Sequence, residues 1–323
     1  MTETAIPDAA PVRRRSAPRG ALIGQVFEGL CFGAATLLLA ALGGIIVSLV
    51  IGGWPALSKF GVGFLFSAAW NPVTDVYGAA GPIVGTLITA ALALLLALPI
   101  AGGVAFFLTE LCPARLRRPI GTAVELLAGI PSIVYGMWGL FVFAPLFARF
   151  IQLPLMSAAK PGSLLETLTT GIPNGSGILP ASIILAIMIL PFMAATLREL
   201  LLTVPAAVRE SAYGLGATTA EVVLSVTLPY VRQGAIGAVM LGLGRALGET
   251  MAVTFIIGNS HTFPKSLFDS GSTIASTIAN EFTEATSPIH TAALISLGLV
   301  LFLITFAVLG LARLLLRQQG AKL

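Results

Sequence analysis

The chain has 323 residues, of which 56% are hydrophobic and 10% are charged, and its mean hydropathy is +0.96. Soluble domains carry about 25% charged residues, so this composition excludes an ordinary soluble domain and indicates a membrane protein with several spans. The net charge of +4 is modest and reflects orientation in a membrane rather than nucleic-acid binding. Cys31 and Cys112 stand alone, without the spacing of a zinc or redox motif.

Apolar segments long enough to cross a bilayer, which takes about 20 residues, recur along the chain. Six reach this length: 29–51, 81–108, 121–147, 178–197, 234–258 and 291–316. The first is too long for the apolar part of a cleavable signal peptide. We therefore predict an all-α polytopic membrane protein with six transmembrane helices. Its expected parts are a cytoplasmic tail (1–28), a first helix (29–51), an extracytoplasmic loop (52–80) and a larger membrane domain (81–316).

The loops carry an uneven distribution of positive charge, which sets orientation because short cytoplasmic loops collect Lys and Arg. Most of the 18 Lys and Arg residues lie in the two terminal tails, including the arginines at 13–15, and in the loops at 109–120 and 198–233. The other side holds Lys59, Arg149, Lys160 and Lys265. This bias predicts a multi-pass protein of the bacterial inner membrane with both termini in the cytoplasm.

The extracytoplasmic loops contain two local patterns. The first loop has three aromatic residues suited to the belt at a membrane interface: Trp54, Trp70 and Tyr77. The last loop has apolar residues four positions apart, at Ile274, Ile278 and Phe282, which predict a short amphipathic helix lying at the outer surface. The two histidines of the chain, His261 and His290, also fall in this outer region.

The loop at 198–230 is long for a simple connection and carries helix signals of its own. Pro205 fits the first turn of a helix, and Gly214 and Gly216 supply a turn with positive φ. Thr218–Glu221 has the pattern of a capping box that opens a second helix, which Pro229 then ends. The apolar side chains of such a loop need a surface to cover, either a partner protein or the membrane interface.

The same loop resembles the EAA signature of ABC importer permeases, E-A-A-x3-G-x9-I-x-L-P. The matching residues are Glu210, Ser211, Ala212, Gly216, Val226, Leu228 and Pro229, with Ser for Ala and Val for Ile. In that family the loop docks on a separate cytoplasmic ATPase, so the resemblance implies a coupling role for residues 203–229 and a type I ABC importer permease fold. The chain has no Gly-Lys dipeptide and hence no G-x-x-x-x-G-K-[ST] phosphate loop. ATP and Mg²⁺ are therefore expected to be used by the partner ATPase.

Residues 241–259, LGLGRALGETMAVTFIIGN, place Arg245 and Glu249 inside an otherwise apolar segment. An arginine at the bilayer centre costs about 2.5–3.5 kcal/mol on insertion scales. Arg245 lies near the expected midplane, and in a continuous helix Glu249 shares its face because the two are four residues apart. Arginine donates two parallel hydrogen bonds to an oxyanion. The pair is therefore either an anion site or gate on a transport path, or an ion pair that locks two helices.

A second polar region begins at Glu125, in the segment ELLAGIPSIVYGMWGLFVFAP. Glu125 is either part of a transport path or a solvated helix end at the cytoplasmic interface. Pro131 predicts a helix break near membrane depth, and Ser132 and Tyr135 follow it. Breaks of this kind are tolerated where the freed backbone groups meet protein or water, and they often mark substrate sites in transporters.

Both segments resemble the PstC-type permease subunit of phosphate-specific ABC importers, over roughly residues 80–315. The element Arg-Ala-x-Gly-Glu-Thr is shared with the sister PstA-type subunit, and the continuation Met251-Ala252-Val253 favours PstC. The resemblance implies a non-enzymatic subunit that passes inorganic phosphate along a path with these candidate residues: Arg245, Glu249, Thr250, Ser132, Tyr135 and Glu125. It implies a PstA-type permease, a PstB-type ATPase dimer and an extracytoplasmic PstS-type phosphate-binding protein as partners. No catalytic residue, cofactor, metal or nucleic acid is expected on this chain.

Several alternatives remain open at this point. The residues alone indicate an oxyanion as the substrate, so phosphonate, sulfate and molybdate are alternatives to phosphate. A PstA-type subunit is likewise an alternative to a PstC-type subunit. A secondary transporter or channel would not need the EAA-like loop. An intramembrane hydrolase is disfavoured because the chain lacks a G-x-S-x-G element and lacks Asp or His pairs at metal-ligand spacing within a span.

Overall fold

The computed structural model describes residues 18–320, with side chains between residues 23 and 314. Within this range it has fifteen α-helices: α1 Pro18–Phe60, α2 Gly63–Phe66, α3 Ala80–Phe106, α4 Ala114–Ala128, α5 Ser132–Trp138, α6 Ala144–Phe147, α7 Leu153–Ala158, α8 Leu164–Thr169, α9 Ile178–Leu202, α10 Ala206–Gly214, α11 Thr219–Val222, α12 Leu228–Leu247, α13 Met251–Thr254, α14 Ile274–Glu281 and α15 Pro288–Gly320. π-Helical turns span Phe107–Leu111, Gly139–Phe143, Ala148–Gln152 and Val223–Thr227. The predicted tail before residue 18, with the arginines at 13–15, and Lys322 lie outside the described residues.

The described residues contain six helices long and apolar enough to cross a membrane, which confirms the predicted all-α architecture with six spans. These spans are Ile23–Phe60, Ala80–Leu111, Ser132–Ala158, Ile178–Leu202, Thr219–Leu247 and Pro288–Leu314. No strand forms between residues 18 and 320, where β-pairing is limited to two isolated bridges. The second, fourth and sixth spans lie close to the predicted segments, whereas the third and fifth are displaced.

The chain divides into two units, Met1–Ser48 and Leu49–Leu323. In the first unit, every side chain from Ile23 to Ile45 is exposed, and Glu28 is the one charge in that stretch. An exposed apolar helix of this length suits contact with lipid or with another protein chain. Helix α1 runs beyond the predicted 29–51 and ends at Phe60, where Gly61 takes φ +58°, the left-handed conformation that commonly closes a helix.

The core of the second unit is formed by α3, α9 and α12. Helix α3 contributes a row of fully buried small side chains: Ala90, Ala93, Ala97, Ala101 and Ala105. Small residues at this spacing allow two membrane helices to approach closely. Helix α9 fills the space against them with large buried side chains: Ile184, Leu185, Met188, Ile189 and Met193. Helices α3 and α9 therefore form a closely packed pair.

The third span is Ser132–Ala158, so the predicted 121–147 begins too early. Helix α4 ends at Ala128, and Pro131 is the N-cap of α5. A proline has no backbone N–H and disfavours helical φ/ψ at the residue before it, which explains the break. The hydropathy pattern placed the end of α4 and the whole of α5 in one span because both segments are apolar. The structure separates the two helices at Pro131, where the proline predicted a break.

The fifth span is Thr219–Leu247, so the predicted 234–258 is also displaced. Pro229 was expected to end the helix opened at Thr218, and this prediction is wrong. The π-helical turn Val223–Thr227 joins α11 to α12, and Pro229 lies in the first turn of α12, where a missing N–H is tolerated. The helix then ends at Leu247, eleven residues before the predicted end.

The loop between α9 and α12 has the helix–turn–helix form predicted from its sequence. Pro205 is the N-cap of α10, and Gly216 supplies the turn with φ +87°. Thr218 and Glu221 form both hydrogen bonds of a capping box at the start of α11. Gly214 differs from the prediction because it is the last residue of α10 and does not take a positive φ.

The opposite end of the second unit carries α14, which confirms the predicted short helix but not its place at the surface. Ile274 is fully buried, and Ile278 packs against a cluster formed with α15 and the segment before α3. The apolar face of α14 therefore contacts protein. Tyr77 is also buried, at 1% exposure, so its predicted role in an interfacial belt is wrong, whereas Trp54 is exposed as expected.

Candidate functional site

The helix that carries Arg245 breaks before it reaches Glu249. Helix α12 ends at Leu247 and α13 begins at Met251, so the two charges do not share the face of a continuous helix as predicted. The Glu249 carboxylate instead accepts a hydrogen bond from the N–H of Ala252 at 3.2 Å and caps α13. Among residues with described side chains, the ion pairs within 4 Å do not include Arg245 with Glu249.

The break lies about halfway along the neighbouring helix α9. A Cβ on Gly242 would lie 2.8 Å from Met193 Sδ, and one on Gly234 would lie 2.7 Å from Leu200 Cδ2. These pairs show that α12 and α9 run antiparallel, and their register brings the end of α12 level with Met188. That position is about 15 Å along α9 from its first residue. Arg245 therefore lies about level with the middle of α9, and its place near the midplane of the bilayer stays a prediction.

The Arg245 side chain is exposed and has an aromatic neighbour on α9. Its Cζ lies 5.9 Å from the centre of the Phe192 ring, within the range of a cation–π interaction. An arginine in this position is too costly to leave against hydrocarbon, so this face of the chain is suited to contact water or another protein.

Helix α5 brings Ser132 and Tyr135 to the region of the α12–α13 break. A Cβ on Gly136 would lie 3.0 Å from the Cα of Ala252, so the absence of a side chain at Gly136 allows α13 to pack directly on α5. The Tyr135 hydroxyl donates a hydrogen bond to the Leu127 carbonyl at 3.1 Å. This bond spans the break between α4 and α5 and satisfies one of the carbonyls at the end of α4.

Glu125 lies apart from this group, at the end of the second unit that carries α10. Its carboxylate forms an ion pair with Arg198 at 2.8 Å, and its side chain is 50% exposed. It lines a cavity of about 620 Å³ together with Ala128, Phe192, Ala195, Thr196 and Glu199. Phe192 therefore connects the two regions, because its ring contacts Arg245 and also lines the cavity beside Glu125.

The residues of the EAA-like pattern lie on the exposed α10–α12 loop. Glu210 and Ser211 are exposed on α10, Ala212 is partly buried, and Gly216 forms the turn. Leu228 and Pro229 begin α12 and are also exposed. The loop presents large apolar side chains to its surroundings: Val208, Tyr213, Leu215 and Leu224. Exposed apolar surface of this kind marks a contact with another molecule.

A group of polar and aromatic residues at the α14 end was missed by the sequence analysis. The Glu281 carboxylate accepts a hydrogen bond from Trp70 Nε1 and forms ion pairs or hydrogen bonds with Nε2 of His261 and Nε2 of His290. Each of these nitrogens lies 2.8 Å from a carboxylate oxygen. The Trp70 ring stacks on His261, and the Tyr77 ring stacks on His290. The only signal in the sequence was that both histidines fall in the same outer region.

The environment of this group changes the acidity of two of its members. Burial raises the pKa of the Glu281 carboxyl, but hydrogen bonds from His261, Trp70 and His290 outweigh burial and hold the pKa below its ordinary value. Burial, together with the hydrogen bond to Asp75, raises the pKa of the Tyr77 phenol to about 12. Glu281 is therefore held as a carboxylate that ties three separate segments together.

Comparisons with known proteins identify relatives along nearly the whole chain. The phosphate transport system permease protein PstC of Mesorhizobium japonicum is 52% identical over 320 residues, covering 99% of this chain and 98% of the relative. The protein of the same name from Pasteurella multocida is 56% identical and covers 88% of this chain and 89% of the relative. That of Xylella fastidiosa strain 9a5c is 49% identical and covers 100% of this chain and 99% of the relative.

Solved structures show the same fold at low sequence identity. A chain of a bacterial ABC transporter involved in the import of the acidic polysaccharide alginate superposes with a TM-score of 0.56 at 16% identity, covering 93% of this chain and 96% of that chain. A chain of the MetNI methionine ABC transporter in an inward-facing conformation gives 0.50 at 19% identity, covering 75% and 94%.

The family comparison agrees with these relatives. Residues 101–319 match the model of the binding-protein-dependent transport system inner membrane component, a region that includes α4 to α14, the α12–α13 break and the EAA-like loop. The chain therefore belongs to the family of inner-membrane components of binding-protein-dependent transport systems.

Proposed function

We propose that this chain is a permease subunit of an ABC importer that passes inorganic phosphate across the inner membrane, driven by ATP hydrolysis in a separate subunit. The relatives at 49–56% identity are named phosphate transport permeases of the PstC type, which supports phosphate over other oxyanions. In this proposal residues 81–316 form the permease domain and the residues before the first span, which begins at Ile23, form a cytoplasmic tail, with both termini in the cytoplasm.

The observation that carries the proposal is the exposed Arg245 guanidinium at the mid-depth break of α12. Its planar fork suits a tetrahedral oxyanion because it donates two parallel hydrogen bonds. Thr250 lies in the same break, and Tyr135 and Ser132 belong to α5, which packs against α13. The Ser132 hydroxyl would donate a further hydrogen bond to a phosphate that Arg245 attracts. The Tyr135 and Thr250 hydroxyls would first have to give up their bonds to the carbonyls of Leu127 and Gly248.

Glu249 gives the site a means of release in this proposal. Its carboxylate is fixed by the Ala252 N–H rather than by Arg245, so the arginine charge stays available to an anion. A carboxylate near a bound phosphate repels it and weakens binding, which a transport site needs because tight binding would slow release. From there the anion would pass Phe192 into the cavity beside Glu125, at the end that carries α10.

Several exposed surfaces of the chain are suited to contact partner chains. The exposed Arg245 face of the second unit fits a second permease subunit of the PstA type. The apolar α10–α12 loop with Glu210 and Gly216 fits an ATPase dimer of the PstB type, which would bind the ATP and Mg²⁺. The α14 end would face an extracytoplasmic phosphate-binding protein of the PstS type.

Uptake by the reconstituted complex tests this proposal. The chain is assembled with its PstA-, PstB- and PstS-type partners in proteoliposomes, and ATP-dependent uptake of radiolabelled phosphate is measured. We expect Arg245→Ala to abolish uptake while the complex still assembles. Arg149→Ala is the matched control, because Arg149 also lies over a phenylalanine ring, at 5.5 Å from Phe150, but lies outside the proposed path.

Competing anions decide the substrate in the same assay. We expect unlabelled phosphate to compete fully and sulfate, molybdate and phosphonate to compete poorly. Uptake of one of those anions in preference to phosphate would identify that anion as the substrate. Normal phosphate uptake by Arg245→Ala would contradict the assignment of Arg245 to the anion path. Uptake without ATP or the ATPase would indicate a secondary transporter instead.

A further inference from the structure

An ion pair joins the α10–α12 loop to the end of α3. Arg209 Nη1 lies 3.0 Å from Glu110 Oε1, and the two residues are 99 positions apart in the chain. The Glu110 side chain is 7% exposed and that of Arg209 is 21% exposed. Exposed ion pairs contribute little to stability, but loss of one partner from a buried pair leaves an uncompensated charge. This contact therefore holds α10 firmly to α3.

Glu110 lies in a π-helical turn, Phe107–Leu111, that continues α3. Turns of this type interrupt regular helix geometry and occur frequently at functional sites. The turn directs the carboxylate toward α10, where Arg209 immediately precedes Glu210 of the EAA-like pattern. A movement of α10 would therefore act directly on the end of α3.

Helix α3 is built to pass such a movement to α9. Its buried face is formed by alanines, of which Ala97, Ala101 and Ala105 are fully buried in the core shared with α9. An alanine side chain has no rotamers, and closely packed interiors transmit strain rather than absorb it. A shift of α3 therefore displaces α9 as well, instead of being absorbed by side-chain rearrangement.

Helix α9 in turn carries Phe192, whose ring contacts the Arg245 guanidinium. At its other end, α3 accepts a hydrogen bond from the N–H of Ile274 to Thr86 Oγ1 at 2.9 Å, so it also reaches α14. Contacts between named groups thus run without a gap from α10, through Glu110 and the α3–α9 pair, to Arg245.

We infer that Arg209 and Glu110 are positioning residues that connect movement of the α10–α12 loop to the arginine at middle depth. Neither residue contacts the transported anion, because both lie at the loop end of α3. The inference rests on the proposed function, since the loop moves only if a partner ATPase drives it. Loss of the ion pair would leave ATP hydrolysis in place but would disconnect it from transport.

The test measures phosphate taken up per ATP hydrolysed in the reconstituted complex. Allosteric coupling energies correspond to changes of about 5-fold to 150-fold, so we expect Arg209→Gln to lower this ratio about tenfold while ATP hydrolysis continues. Arg118→Gln is the matched control, because Arg118 is an exposed arginine at the same end. The exchange variant Glu110→Arg with Arg209→Glu restores an ion pair and is expected to restore the ratio.

The outcomes separate this inference from the proposed function. A wild-type complex without ATP-dependent phosphate uptake contradicts the proposed function itself. A working wild type with an unchanged ratio in Arg209→Gln overturns the inference alone. If the single variant does not assemble, the exchange variant decides: assembly with a normal ratio supports the inference, and failure to assemble or a low ratio overturns it.

Discussion

A side chain at Gly136 would collide with the backbone at Ala252, because a Cβ there would lie 3.0 Å from the Ala252 Cα and 2.7 Å from Phe255 Cδ2. The contact joins α5 to α13, so it fixes the position of the α12–α13 break relative to Tyr135. Gly136 has no side chain, and this allows the polar residues of α5 to lie close to those of the α12–α13 break.

We therefore expect Gly136→Ala to destabilise the chain by about 1–3 kcal/mol, the usual cost of inserting a methyl group into a packed site, and to reduce phosphate uptake. Gly237→Ala is the control, because a Cβ at that α12 position meets no atom within 4 Å. Thermal unfolding and uptake of both variants are compared. Equal behaviour of the two variants would contradict the close contact.

The Phe192 ring is expected to set the position of the Arg245 guanidinium. Cation–π interactions contribute about 0.5–2 kcal/mol, so Phe192→Leu should raise the KM for phosphate by roughly 2-fold to 30-fold. Phe192→Tyr keeps an aromatic face and should leave KM nearly unchanged. Initial rates of uptake over a range of external phosphate concentrations measure this, and the same KM in both variants would refute a role for the ring.

The turn between α10 and α11 depends on the left-handed conformation of Gly216. An L-residue at φ +87° is strained by about 1–3 kcal/mol, so Gly216→Ala should distort the loop and reduce copurification of the partner ATPase. Gly214→Ala is the control, because Gly214 is helical and a Cβ there meets no atom within 4 Å. Normal ATPase binding by Gly216→Ala would argue against docking through this turn.

The stability of the chain should depend on pH through Glu281. Its pKa in the folded chain lies below the ordinary value of 4.5, so the folded state binds the proton more weakly than the unfolded state. The carboxylate therefore stabilises the fold above the unfolded pKa, and this contribution is lost as the pH falls through the folded pKa. We expect Glu281→Gln to lower Tm at neutral pH and to flatten its fall below about pH 5.

Thermal unfolding of the purified complex between about pH 3 and pH 7 measures this dependence. Glu284→Gln is the control, because Glu284 is exposed and only three residues away. The difference in Tm between wild type and Glu281→Gln should shrink as the solution becomes more acidic. A difference that stays constant over the whole range would show that Glu281 acts through its shape rather than its charge.

The features that sequence predicts well are those encoded by neighbouring residues. Six spans, the capping box at Thr218, the turn at Gly216 and the break at Pro131 each follow from hydropathy or from the backbone preference of one residue type. The end of α12 was missed because hydropathy does not distinguish a continuous apolar helix from two joined at Gly248. The sequence also does not show that the Glu249 carboxylate accepts a hydrogen bond from the Ala252 N–H instead of pairing with Arg245.

Contacts between distant segments left no periodic signal. Trp70 and Glu281 are 211 residues apart, and Arg209 and Glu110 are 99 residues apart, so no window of sequence contains either pair. The aromatic residues of the loop at 52–80 looked equally suited to a membrane interface. Only the packing of α14 and α15 against that loop brings Trp70 and Tyr77 together with the two histidines.

The low hydropathy of the fifth span, which carries Arg245, also affects how the protein enters the membrane. Thr219–Leu247 has the lowest mean hydropathy of the six spans among the described residues, whereas the preceding span Ile178–Leu202 is much more apolar. The two are antiparallel neighbours, and Arg245 has its aromatic contact on the earlier one. We therefore expect the fifth span to enter the bilayer as a hairpin with the fourth, whose Phe192 ring is the aromatic partner of Arg245.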